Sequence, residues 1–109
     1  MLLLTLRGTP TIYYGDELGH PDVPVPPERE QDPWGLRVPG LGLSRDPART
    51  PMPWTDEPGA GFTVAGVEPW LPIVQGTSTI SVAAQQGVSA SMLGTTRRFL
   101  AARPLHRDP

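Results

Sequence analysis

Asp16 and Glu17 are adjacent carboxylates, and paired carboxylates are the groups that acid–base cleavage of a glycosidic bond requires. Neighbouring residues at the end of a strand point to opposite sides, so both cannot face one substrate, and a structural role is the stronger reading. Arg45 and Arg49 lie four apart on a loop stiffened by Pro47 and Pro51. A guanidinium fork suits a carboxylate partner or a row of sugar hydroxyls. Trp34, Trp54 and Trp70 offer faces that pack well on a pyranose ring, although isolated tryptophans beside prolines read first as anchors for a long loop. His20 and His106 have no nearby partner that would make either a ligand or a base.

Few regular elements are available to position these groups. Met1–Leu6 reads as the tail of a helix stopped by Gly8 and Pro10, with no N-cap of its own. Thr11–Tyr14 is β-branched and aromatic between Pro10 and Gly15, the composition of a short buried strand. From Asp16 to about residue 81 the chain is a Pro-rich loop, with turn signals at Asp32-Pro33, Asp46-Pro47 and Pro58-Gly59. Met92, Leu93, Phe99 and Leu100 then form an apolar stripe at helical spacing, which predicts a helix over 91–103 ended by Pro104. Ser89 or Ser91 is its candidate N-cap. Thr96 interrupts the stripe, and Gly94 costs the helix about 1 kcal/mol relative to Ala. Strand, long loop, helix is the wiring of one unit of a (β/α)8 TIM-type barrel, with the functional loop at the strand's C-terminal end.

Two stretches carry a specific resemblance: Gly8-Thr9-Pro10-Thr11-Ile12-Tyr13-Tyr14-Gly15-Asp16-Glu17-Leu18-Gly19, and Ser44-Arg45-Asp46-Pro47-Ala48-Arg49-Thr50-Pro51-Met52-Pro53-Trp54. In that order they resemble the eighth strand and following loop of the α-amylase family barrel (glycoside hydrolase family 13), in its α-glucosidase and oligo-1,6-glucosidase branch. The Pro24–Gly42 link fits α-glucosidases better than trehalose synthases, whose loop is shorter. The resemblance implies an α/β fold class, the chain being a C-terminal slice of the barrel over 1–103, with 104–109 opening a further region. It implies that Asp16 and Glu17 are structural, and that Arg45 and Arg49 are the substrate-binding candidates. Arg45 is expected to reach the pocket of the terminal glucose and pair with a carboxylate, Arg49 to be the more structural of the two. Ser81, Val88 and Thr96 depart from the Asn, Asp and Tyr usual in relatives.

The family's nucleophilic Asp, acid/base Glu and His-preceded Asp belong to earlier strands, and this chain contains no His-Asp dipeptide. No catalytic residue is therefore assigned here, and the segment alone is expected to be inactive. The resemblance points to part of a retaining α-glucosidase acting on terminal α-glucosidic bonds of short oligosaccharides. A trehalose-synthase-like glucosyltransferase fragment, a non-catalytic barrel relative serving as a partner protein, and an independent Pro-rich module are the alternatives.

Composition narrows the rest. The 109 residues include 12 Gly, 15 Pro and only 38% hydrophobic residues, so a self-contained core is poorly supplied and independent folding is not expected. The formal charge is −2 and every basic residue is Arg without a basic cluster, which argues against a nucleic-acid partner. Cys is absent, excluding disulfides and thiolate metal sites, and no cofactor is called for. Met1–Leu4 is too short to span a membrane and lacks signal-peptide features, so no membrane partner and a cytoplasmic location are expected.

Overall fold

The computed structural model describes residues 2–103; the 104–109 region and His106 lie outside them. Among the described residues the order is α1 (Leu2–Thr5), a 3₁₀ turn (Asp16–Leu18), a 3₁₀ turn (Pro27–Arg29), α2 (Pro33–Arg37), a 3₁₀ turn (Asp46–Arg49), α3 (Thr77–Ile80), α4 (Val82–Gln85) and α5 (Met92–Ala102). The radius of gyration is 16.7 Å and the extents are 52 × 34 × 18 Å. A compact chain of this length would have a radius near ~13 Å, so the molecule is a slab rather than a ball.

The strand expected over Thr11–Tyr14 does not form, and no strand occurs among the described residues. A strand exists through the hydrogen bonds of its neighbours, and no other segment here pairs with this one. Tyr13 N–H is instead taken by Asp16 Oδ2 at 3.2 Å, and both tyrosine rings are exposed.

The long link is irregular but not structureless. Its Asp-Pro dipeptides open short helical turns, with proline in the first turn of α2 and of Asp46–Arg49, where the missing N–H costs nothing. α5 is capped by Ser91, whose Oγ accepts Gly94 N–H at 3.0 Å. Gly94 is required: a Cβ there would lie 2.6 Å from Val88 O and 2.7 Å from Ser89 O. Thr96, where the stripe breaks, is buried, while Met92, Phe99 and Leu100 stay exposed. The core is small, built from Leu18, Met52 and Leu93 with Ile80 and Val82 against them.

Buried polar groups complete what apolar ones cannot. Gln85 donates to Leu18 O at 2.9 Å and accepts Leu93 N–H at 2.9 Å, joining α4, α5 and the first 3₁₀ turn. Ser81, one of the departures from relatives, is buried and caps α4 by accepting Ala84 N–H at 3.2 Å. Arg103 reaches back to Leu4 O at 2.6 Å, Leu6 O at 2.9 Å and Gly8 O, fastening the first segment to the end of α5.

Candidate functional site

A cavity of about 490 Å³ opens beside the Asp46–Arg49 turn, within the roughly 300–1,000 Å³ typical of small-molecule sites. Trp54, Phe62 and Trp70 give it aromatic walls, Met52 and Leu71 an apolar floor, and Glu17 and Arg49 its charge. Each wall is held from outside the cavity. Trp54 N–H donates to Ala60 O at 2.8 Å, and Trp54 O accepts Ala83 N–H at 3.0 Å from α4. Tyr14, also on the rim, donates its hydroxyl to Thr50 O at 2.9 Å. Partial burial and the neighbouring Tyr13 raise the Tyr14 pKa, with Arg49 opposing them.

Glu17 bends back on its own turn, its Oε2 accepting Gly15 N–H at 2.9 Å. Gly15 permits this at φ 91°, and a Cβ there would meet His20 Cβ at 2.9 Å. Asp16 turns the other way, to Tyr13, and does not line the cavity. The adjacent carboxylates thus face different surroundings and make no acid–base pair at one centre.

Behind the cavity the two Asp-Pro dipeptides brace one another. Asp46 Oδ2 accepts Gln31 N–H at 2.8 Å and Asp32 N–H at 2.9 Å. Asp32 in turn accepts Arg45 N–H at 2.7 Å on Oδ2, and Arg45 Nη2 at 2.5 Å and Nε at 3.1 Å on Oδ1. Neither carboxylate side chain is exposed, and Arg49 Nη1 stands 3.5 Å from Asp46 and 3.9 Å from Asp32. Two buried negative charges therefore meet two guanidinium groups and several backbone donors, which is what makes such burial tolerable. The Arg45 hydrogen bonds hold the Asp32 carboxyl well below the usual carboxylate range, against the opposing effect of burial. Asp32 likewise raises the Arg45 pKa.

The sequence candidates are thereby placed. Arg49 lines the cavity; Arg45 does not, and its fork closes on Asp32. Trp54 and Trp70 border the cavity, whereas Trp34 is exposed elsewhere.

The model of the "Alpha amylase, catalytic domain" family matches residues 1–108. The chain belongs to the α-amylase family. It is 45% identical over 102 residues to the "Probable alpha-glucosidase" of Rhizobium meliloti, a match covering 94% of this chain and 18% of that protein. It is 39% identical to the "Trehalose synthase/amylase TreS" of Mycolicibacterium smegmatis, covering 96% of this chain and 16% of that one. Among solved structures it is similar to the α-glucosyl transfer enzyme XgtA, at 44% identity and a TM-score of 0.83, over 92% of this chain and 18% of that one. This α-amylase-family chain thus spans less than a fifth of the length of these relatives. Relatives of both names match nearly the whole chain.

Sequence reasoning missed the partners that organise the α-amylase-family loop. Asp32 and Asp46 read as turn formers, and the repeated Asp-Pro pattern was the only signal that they do the same job twice. No helix among the described residues is long and apolar enough to cross a membrane.

Proposed function

We propose that this chain is the sugar-binding loop segment of a retaining α-glucosidase, contributing substrate contacts while the catalytic acids come from other parts of a longer protein. The supporting observation is the cavity itself, where Arg49 stands among Trp54, Phe62 and Trp70. Aromatic faces pack on pyranose rings and a guanidinium donates to their hydroxyls, a lining suited to a neutral oligosaccharide. Of the candidate substrate-binding pair, Arg49 makes the direct contact. Arg45 acts through Asp32, setting the loop that carries Arg49.

A second reading, α-glucosyl transfer or trehalose formation instead of hydrolysis, draws support from the relatives of those names. One experiment addresses both. The full chain is set into the α-glucosyl transfer enzyme in place of its matching stretch, and the chimera is assayed with maltose. Glucose release is expected; trehalose or a transfer product in its place selects the second reading. A folded chimera that turns over nothing contradicts both.

A further inference from the structure

We propose that Arg29 is a positioning residue that fixes Trp70 as a stacking wall for a pyranose ring; the inference rests on the saccharide reading of the cavity. Arg29 lies on the Pro27–Arg29 turn, about forty positions before Trp70 in the sequence, and is not among the residues lining the cavity. Its whole fork is nevertheless spent on the segment that forms one wall. Nε donates to Trp70 O at 2.8 Å, Nη2 to Pro69 O at 2.5 Å, and Nη1 to Glu68 Oε1 at 2.7 Å. The contact is reciprocal, because Trp70 Nε1 donates to Arg29 O at 2.9 Å.

This arrangement decides what the indole can offer a ligand. Its N–H is consumed inside the protein, so hydrogen-bond readout by that group is ruled out. Trp70 as a residue is still 46% exposed and borders the cavity. What remains for a ligand is apolar ring surface, which suits a sugar's C–H face. Pro69 and Pro72 stiffen the segment and Leu71 is buried next to it, so the ring is fixed both at its backbone and at its polar edge. A wall fixed before binding loses less side-chain entropy when the ligand arrives. Only an arginine reaches two carbonyls and a carboxylate from one planar group.

The test uses the chimera described above, labelled with fluorotryptophan, with the Trp70 fluorine resonance assigned by its loss in Trp70→Phe. Maltose is expected to move that resonance. Arg29→Ala should displace or broaden it before sugar is added and raise KM for maltose about fivefold, with kcat within about twofold of the unsubstituted chimera. Arg29→Lys keeps the charge opposite Glu68 but not the fork, and should fall between the two. Glu68→Gln, which leaves both carbonyl bonds in place, should match the unsubstituted protein. An unchanged Trp70 resonance and unchanged KM in Arg29→Ala and Arg29→Lys overturn the inference while leaving the cavity reading intact. If maltose moves no tryptophan resonance in the unsubstituted chimera, the saccharide reading falls and this inference falls with it.

Discussion

From Asp32 to Thr50 the chain holds its shape with charge; from Leu2 to Tyr14 and along α5 it holds its shape with very little. In the first region two carboxylates with no exposed surface are each tied to backbone donors and an arginine. In the second, Leu2, Leu3, Leu6, Tyr13, Phe99 and Leu100 remain exposed; Arg103 on three carbonyls fastens the first segment to α5, and α5 itself is held by Leu93 in the small core and the Gln85 bond to its N–H. A polar lattice satisfies itself within one loop, whereas a barrel strand and helix are satisfied only by other strands and helices. The loop beside the cavity is therefore self-braced, whereas the first segment and α5 leave large apolar side chains exposed.

The sharpest way to break this contrast is to ask whether the chain stands alone. Ordering each residue costs roughly 1–2 kcal/mol, and a core of Leu18, Met52 and Leu93 with two neighbours offsets little of that. The isolated chain should show low helicity by circular dichroism, no cooperative melt, and no turnover of a nitrophenyl α-glucoside above a mock purification. A sharp two-state transition would mean that the exposed apolar layer needs no cover.

Acid should separate the two regions next. The Asp32 pKa is lowered in the folded state, so its stabilising contribution is complete above the ordinary carboxylate pKa and is lost as pH falls through the folded value. In the chimera, Asp32→Asn should lower Tm at pH 7. The gap between variant and parent should shrink by roughly a third on going to about pH 3, where the unfolded-state carboxylate is largely protonated while the folded one stays charged. A gap independent of pH would mean that the lattice does not depend on the Asp32 charge.

A smaller effect probes the weaker region. Alanine in place of a helical glycine ordinarily gains up to about 1 kcal/mol. At Gly94 the added Cβ would press on Val88 O and Ser89 O, so Gly94→Ala should instead cost about 1 kcal/mol or more of stability, by urea titration of the chimera. Stabilisation would show that the turn before α5 yields easily.

Local signals were legible in the sequence wherever neighbours in the chain decide the outcome. Ser91 caps α5, and the Asp-Pro dipeptides make turns, because those interactions span three or four residues. Thr11–Tyr14 carried the composition of a strand, but composition does not supply the partner strands a ladder needs. Asp32 with Arg45, and Arg29 with Trp70, pair across 13 and 41 positions, and nothing in local spacing marks such partners. Arg45 and Arg49 were legible as a pair. Which of them turns to the cavity was not, because the choice is made by Asp32, whose carboxylate captures the Arg45 fork.

That choice also gives the most direct test. In the chimera, kcat/KM for maltose and Tm are measured for Arg49→Lys and Arg45→Lys side by side. Arg49→Lys should lower kcat/KM on the order of tenfold to a hundredfold, the loss expected for a charged hydrogen bond to substrate, with a modest fall in Tm because lysine keeps the charge near Asp46. Arg45→Lys keeps the charge but loses the fork on Asp32, and should lower Tm more than Arg49→Lys does while costing less in kcat/KM. The reverse pattern, with Arg45→Lys the catalytically damaging change and Arg49→Lys the destabilising one, would contradict the assignment of Arg49 to the sugar and Arg45 to the brace.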